Sequence, residues 1–428
     1  MNKIYNPDKK DWSALLKRST TTFDAIEGIV SEVFNEISTK GDSAVAYYTR
    51  KFDGIELEST LVSSLEFEEA ENLVTEELKK AIQQAKKNIE AFHKAQITEK
   101  VKVETMPGVT CWQEKRPIEK VGLYIPGGTA PLFSTILMLA IPAKIAGCNE
   151  VVLCSPPDKQ GKLNPAVLYT ARQCGVENFF KVGGIQAIAA MTFGTKSIPQ
   201  VYKIFGPGNQ YVTVAKQWAT RYGIAIDMPA GPSELLVVAD DSANAAFVAS
   251  DLLSQAEHGI DSQVILVSIS KALILKVEEE ILNQIVNLPR KEIAQKAMAN
   301  SKLIYVEDDK TALELINEYA PEHYIVCVEN EDFYIHNTIN AGSVFIGNYT
   351  PESAGDYASG TNHTLPTNGY AKQYSGVNLD SFLKSMTFQK ITSEGIKNLG
   401  NTIELMAEAE GLQAHKNAVT LRLASLKK

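Results

Sequence analysis

From Val121 to Asp227 the sequence changes character at regular intervals, and each change falls on a glycine- or proline-rich turn. VGLYIPGG leads into a helix expected to begin near Ala130. VVLCSPP precedes the helix of LNPAVLYTARQCG, FFKVGG precedes IQAIAAMTFG, and VYKIFGPG precedes NQYVTVAKQWATRYG before the short run IAIDM. This strand-then-helix repetition predicts a parallel, doubly wound sheet, which constrains the fold more than any other feature. The turns carry Gly127–Gly128, Gly183–Gly184 and Gly206–Pro207–Gly208, and such loops let a phosphate approach the N-terminus of the following helix. After PAGPSELLVVAD the alternation resumes with a helix over 243–258, the strand QVILVSIS, a long helix from Lys271, and then KLIYVED, TALELINEYAPEH, YIVCVEN and GSVFIG.

The rest of the chain reads differently. Residues 1–22 form a polar arm with a short helix. Residues 23–50 and 63–96 are helical, the latter opening on the capping-box spacing Ser63…Glu66. His93 on that helix reads as structural. Thr98 to Arg116 suits an antiparallel stretch. Residues 393–428 read as two helices broken at Gly411, with stripes of Ile396, Leu399, Ile403 and Met406, then of Leu412, His415, Val419 and Leu426. So small a tail needs a larger body to pack on, its own chain or a partner subunit. The expectation is an α/β protein with two Rossmann-like (incomplete, doubly wound) domains, an N-terminal helical arm and a small C-terminal helical tail. Its divisions are 1–22 for the arm, 23–120 with 235–380 for the first domain, 121–234 for the second, and 381–428 for the tail.

Composition narrows the function. A net charge of −9 over 428 residues argues against nucleic acid as a partner. No apolar run approaches the roughly 18–20 residues of a membrane span, and the polar N-terminus does not resemble a signal peptide. Five scattered cysteines without a CxxC pair suit a reducing compartment, so a cytoplasmic enzyme or binding protein is expected.

Residues suited to chemistry gather late in the sequence. PESAGDYASGTNHTLPT (351–367) is rich in turn-forming residues, reads as irregular, and holds Asp356 and His363; Asp356 reads as a metal ligand. Gln255 and His258 are spaced i, i+3 on one helix face, and Gly259 is expected to end that helix; taken alone, a capping histidine beside a surface amide is the commoner meaning. Glu322 and His323, after Pro321, offer two bases of different strength at a helix-to-strand junction, and a polar turn is an equal alternative. His415 lies on an apolar stripe, where a core histidine is the plainer reading, and Glu410 just before the helix break suits solvent. Tyr124, Gln186, Asn209 and Ser233 sit in or beside Gly/Pro loops, where each can be turn chemistry. GPGNQY at 206–211 is only a partial dinucleotide fingerprint, because Tyr211 replaces its third glycine; Asp227 has about the ~20-residue spacing of a ribose-binding acid. Cys327 lies inside an apolar strand, and no cysteine has an evident activating base.

Together the stretches VGLYIPGGTAPLFSTILMLAIPA, IFGPGNQYVTVAK, DMPAGPSE, DLLSQAEHG, APEHY, SAGDYASGTNHTLPT and EGLQAH resemble the histidinol dehydrogenases over almost the whole chain. The resemblance implies oxidation of L-histidinol to L-histidine in two NAD-dependent steps, with one zinc ion per subunit. It implies Gln255, His258, Asp356 and His415 as zinc ligands and Glu322 and His323 as catalytic bases. Ser233, His363 and Glu410 would contact substrate together with the ligands and His323, and Tyr124, Gln186 and Asn209 would meet NAD. It further implies a homodimer in which His415 and Glu410 serve the neighbouring subunit. The alternatives are a same-fold zinc and NAD dehydrogenase acting on another amino alcohol or diol, a metal-dependent hydrolase, and a non-catalytic nucleotide-binding sensor.

Overall fold

The computed structural model describes residues 1–18, 24–127, 130–229 and 231–427. Gly128 of the first glycine-rich turn, Ala230 of PAGPSE and the expected helix start at 23 lie outside them. Among the described residues the strands form three sheets. The chain divides into two compact units, 1–96 with 118–382, and 97–117 with 383–428.

The first unit holds two all-parallel sheets. In the five-stranded one the order is Asn178–Phe180, Glu150–Cys154, Lys120–Tyr124, Lys203–Phe205, Ala225–Ile226. Alternate side chains of a strand point to opposite faces. Val121 and Leu123 accordingly pack under the helices Phe133–Ala146, Pro165–Gln173 and Glu76–Lys94, while Tyr124, Val152 and Cys154 pack under Asp24–Lys40, Gly184–Phe193 and Gln210–Ala219. The helices of 24–94 therefore cover this sheet, although the sequence reading grouped 23–120 with the other one. Their apolar faces fit either sheet, and no local signal selects between them. The capping box forms as expected, with Glu66 N–H donating to Ser63 Oγ and Ser63 N–H to Glu66.

The six-stranded sheet runs Asn2–Tyr5, Lys302–Tyr305, Gln263–Ser268, Glu234–Ala239, His323–Cys327, Ser343–Ile346. Leu235 and Val237 face the helices Ala245–Ala256 and Lys271–Ile285, and Leu236 and Val238 face Trp12, Leu16 and the helix Asp309–Tyr319. The start of the expected polar arm is thus a strand, paired in parallel with Lys302–Tyr305. Only Ile4 of NKIY is aliphatic, so periodicity gives no sign of it.

In the second unit Lys102–Met106 and Val109–Pro117 are antiparallel, as expected, while Leu383–Ile391, expected to belong to the helical tail 381–428, is instead a third strand paired with Val109–Pro117. The helices Ser393–Ala409 and Gln413–Ser425 follow, with Gly411 at a φ of 73° between them. Val419 of the apolar stripe is buried, but Leu405, Met406, Leu412 and Leu421 are exposed. No described helix is long and apolar enough to cross a membrane.

Candidate active site

Glu322 and His323 stand where the chain turns from the helix Asp309–Tyr319 into the strand His323–Cys327. Ala320 closes the helix in the left-handed region at a φ of 52°, Pro321 cannot continue it, and His323 is the first strand residue. Gly342 lets the adjacent strand close on this junction, since a Cβ there would lie 2.5 Å from the Glu322 carbonyl oxygen. Both side chains are buried. Glu234, at the start of the neighbouring strand, holds them through its main chain: its N–H donates to Glu322 Oε2 at 2.9 Å, and its carbonyl oxygen lies 3.3 Å from His323 Nδ1. Nδ1 also faces Glu322 Oε2 and Glu352 Oε1, each at 3.6 Å. Surrounded by acceptors, Nδ1 is the nitrogen that keeps a proton, which leaves Nε2 as the basic atom of the neutral ring. Nε2 lies 3.4 Å from Asp356 Oδ1, without the alignment of a hydrogen bond. Burial alone would depress the His323 pKa, but the carboxylates of Glu352, Glu322 and Asp356 outweigh it and hold the pKa well above the usual range.

Asp356 comes from a short helix, Glu352–Tyr357, in a stretch expected to be irregular. Pro351 precedes its first turn, and the Asp251 carboxyl lies near the Glu352 N–H. A polar neighbour for the first-turn N–H groups helps so Gly/Ser-rich a segment turn helical. Burial pushes the Asp251 carboxyl up to about 7. Asp356 itself is surrounded by imidazoles. Burial acts against its charge, but the neighbouring His323, His363 and His258 prevail and hold its pKa below the usual carboxylate value. His363 is already engaged at both ring nitrogens, Nδ1 with the Asp356 carbonyl oxygen at 2.8 Å and Nε2 with Thr135 Oγ1 at 3.0 Å.

The expected helix over 243–258 runs Ala245–Ala256, so Gln255 sits in its last turn and His258 just beyond it. Gly259 does not end this helix; Glu257 is its cap, and no left-handed residue is needed there. Part of His258 reaches the surface, yet the protein around its ring lowers its pKa by desolvation, against the pull of Asp356. Gln255 is fully buried, and neither its amide oxygen nor its nitrogen has a hydrogen-bond partner. A buried amide left unpaired costs about 1–3 kcal/mol, so these atoms mark a place built for a missing group. Gln255, an aspartate and an imidazole are donors suited to zinc. A second possible metal-holding group overlaps this set only at Asp356: ligand atoms of His323, Glu352 and Asp356 lie within 4.8 Å of one another.

Ser233 immediately precedes Glu234, and its carbonyl accepts from Gln263 N–H at 3.3 Å. Glu410 caps the helix Ser393–Ala409 and His415 lies on the next helix; both belong to the second unit and are exposed. Exposure rules out the core-histidine reading of His415 within its own unit.

Tyr124, Gln186 and Asn209 all line one cleft of about 1150 Å³ at the carboxyl ends of the five-stranded sheet, where doubly wound folds bind ligands. Tyr124 Oη accepts the Gly184 N–H at 3.1 Å, and Asn209 caps its helix by accepting from Val212 N–H at 3.1 Å. Gln186 Nε2 donates to Asp53 Oδ2 at 3.0 Å, while its buried Oε1 has no partner. The Gly206 loop is pinned beside them: its φ is 126°, and a Cβ would lie 2.1 Å from the Tyr124 carbonyl oxygen. Asp227, read as a ribose-binding acid, instead braces this loop. It accepts from Gly206 N–H at 2.8 Å and Met228 N–H at 2.7 Å and pairs with Lys216, whose Nζ donates to the Gly206 carbonyl at 2.8 Å. The Asp227 and Lys216 side chains are 1% and 2% exposed.

Burial pushes the thiols of Cys148 to about 11 and of Cys174 and Cys327 to about 12, so none of these three is a ready nucleophile. Glu352, Thr135, Asp53 and Glu234 escaped the sequence reading. Only Glu352 carried a signal, four residues before Asp356 and next to a proline, which is a helix-start pattern.

The histidinol dehydrogenase family model matches residues 16–423. A histidinol dehydrogenase of Bacteroides thetaiotaomicron is 59% identical over 427 residues, covering 100% of both chains, and one of Bacteroides fragilis is 58% identical over 428. The crystal structure of histidinol dehydrogenase from Elizabethkingia anophelis superposes with a TM-score of 0.98 at 54% identity, covering 100% of this chain and 99% of that one. With the alternating sheets and the buried acid–imidazole cluster already described, this full-length agreement leaves one conclusion: the chain belongs to the histidinol dehydrogenase family.

Proposed function

We propose that the chain oxidises L-histidinol to L-histidine in two successive NAD-dependent steps, through bound L-histidinaldehyde, as the last step of histidine biosynthesis in the cytoplasm. The observation that carries this reading is the His323 arrangement, with Nδ1 held by acceptors and Nε2 unpaired beside Asp356. His323 removes the alcohol proton in the first step and acts again as base in the second. Glu322, with Oε2 anchored by Glu234 N–H, orients and activates the water that hydrates the aldehyde. Zinc, held by Gln255, His258, Asp356 and His415 of the partner subunit, would anchor the substrate and act as a Lewis acid. NAD in the cleft of Tyr124, Gln186 and Asn209 would accept the hydrides. Ser233, His363 and Glu410 of the partner subunit orient the substrate; His363 can do so by exchanging its contact with Thr135. The unpaired Gln255 amide supports the metal, and the exposed Leu405, Met406, Leu412 and Leu421 support a homodimer that covers the tail. In this reading residues 235–380 carry ligands and bases and 121–234 the NAD side.

The test is stoichiometric. With limiting L-histidinol and excess NAD, two NADH form per substrate consumed, turnover ceases with a chelator, and zinc restores it. One NADH per substrate, or faster turnover of another amino alcohol or diol, refutes the assignment.

A further inference from the structure

We infer that Arg18, in the segment before the first long helix, is a positioning residue for the Glu322–His323 pair and acts through Glu234; the inference rests on the reading of that pair given above. Glu234 touches both members with its main chain, so the placement of one peptide segment sets the geometry of both. What fixes that segment is its side chain. The Glu234 carboxylate is 1% exposed and receives the Arg18 guanidinium as a fork, Nε to Oε2 at 2.5 Å and Nη2 to Oε1 at 3.1 Å. The same Nη2 donates to the Tyr319 carbonyl oxygen at 2.6 Å, and the guanidinium carbon lies 3.8 Å from the Tyr319 ring centroid. The Tyr319 hydroxyl is 3.0 Å from both Glu234 Oε2 and Gln263 Oε1.

One guanidinium therefore spans two places that define the site. The first is the start of the strand Glu234–Ala239. The second is the last residue of the helix Asp309–Tyr319, three residues before Glu322 and four before His323. A planar fork can hold both at once, whereas the point charge of lysine cannot reproduce two directed bonds and a stacked ring. A shift of about 1 Å at catalytic groups can cost on the order of a hundredfold in rate, so this brace acts on turnover as well as on stability.

The test uses full-length, zinc-loaded Arg18→Lys, assayed separately with L-histidinol and with L-histidinaldehyde. We expect kcat to fall about ten- to a hundredfold on both substrates, while each KM stays within about threefold and zinc content is unchanged. Guanidinium ion added to Arg18→Ala should restore part of kcat. Full kcat with only a lowered Tm overturns the inference, as does a rise in KM without loss of kcat, or a loss of kcat that tracks lost zinc. If Arg18→Lys does not fold, Tyr319→Phe removes one hydroxyl and should lower kcat about two- to fivefold at constant KM; unchanged kcat there overturns the inference equally. His323→Asn and Glu322→Gln run in parallel separate the two readings. Should they retain full turnover, the catalytic assignment fails; should they lose it while Arg18→Lys does not, only the role of Arg18 fails.

Discussion

Lys216→Met isolates the brace beneath the cleft loop. The substitution keeps the aliphatic stem but removes the cation from a pair whose side chains are 2% and 1% exposed. Breaking one side of a buried ion pair costs about 3–5 kcal/mol, because the other charge is stranded. Asp227 keeps the N–H groups of Gly206 and Met228, which puts the figure near the lower end, about 3 kcal/mol. For a unit of about 360 residues, an unfolding entropy of about 2.1 cal/mol/K per residue converts this to a Tm lower by about 4 °C. Calorimetry on the purified enzyme measures it. The double variant Lys216→Met/Asp227→Asn, with no stranded charge, should regain about 1–2 kcal/mol of the loss. Because the loop carries Asn209 and abuts Tyr124, the KM for NAD should rise several-fold while the KM for L-histidinol stays. A Tm within 1 °C of the parent, or a double variant less stable than Lys216→Met, would refute the reasoning.

Other expectations follow from the same geometry. Gln255→Leu should stabilise the zinc-free enzyme by about 1–3 kcal/mol in urea unfolding, since it deletes two unpaired buried polar atoms, and should lower the zinc bound on purification; a less stable zinc-free variant would contradict the account of that amide. Asp251 is raised from 3.8 to about 7, so the folded protein holds its proton more tightly than the unfolded chain, and the stability this gives is lost as pH rises from about 4 through 7. Asp251→Asn should therefore gain on the parent by up to a few kcal/mol between pH 5 and 8; a constant difference in unfolding free energy over that range would exclude it. His323→Asn should slow both oxidations, by about 10²- to 10⁴-fold, and Glu322→Gln chiefly the aldehyde step, as single-turnover kinetics would resolve; equal slowing by Glu322→Gln removes its water-activating role. Mixed dimers of His415→Asn and His323→Asn chains should recover one working site each, and no recovery of activity on mixing would dismiss the shared site.

The sheets were legible because their strands are continuous apolar runs between glycine-rich turns, and VVLC, LLVV and QVILV have few other ways to be buried. NKIY was not legible, since its place in a sheet comes from a strand some 300 residues away. The covering of the five-stranded sheet by helices 24–94 is likewise a choice among equivalent apolar faces. At the site, Glu322 and His323 were readable as neighbours at a junction. Glu352 was hidden by the assumption that a Gly/Ser-rich stretch stays irregular, when a carboxyl about a hundred residues earlier in another helix, Asp251, meets its first turn. Asp227 went the other way: its spacing suggested a ligand contact, and only the structure reveals that Lys216 and two main-chain N–H groups already occupy it.

The raised pKa values of the Cys148, Cys174 and Cys327 thiols have a consequence for durability. In the proposed reaction the aldehyde is oxidised with a carboxylate, an imidazole and water, so no sulfur intermediate would be at stake. Alkylating agents and peroxides attack thiolates, and these three thiols ionise too weakly to offer them a foothold. Electrophile stress that silences cysteine-dependent aldehyde chemistry would leave catalysis of this kind intact.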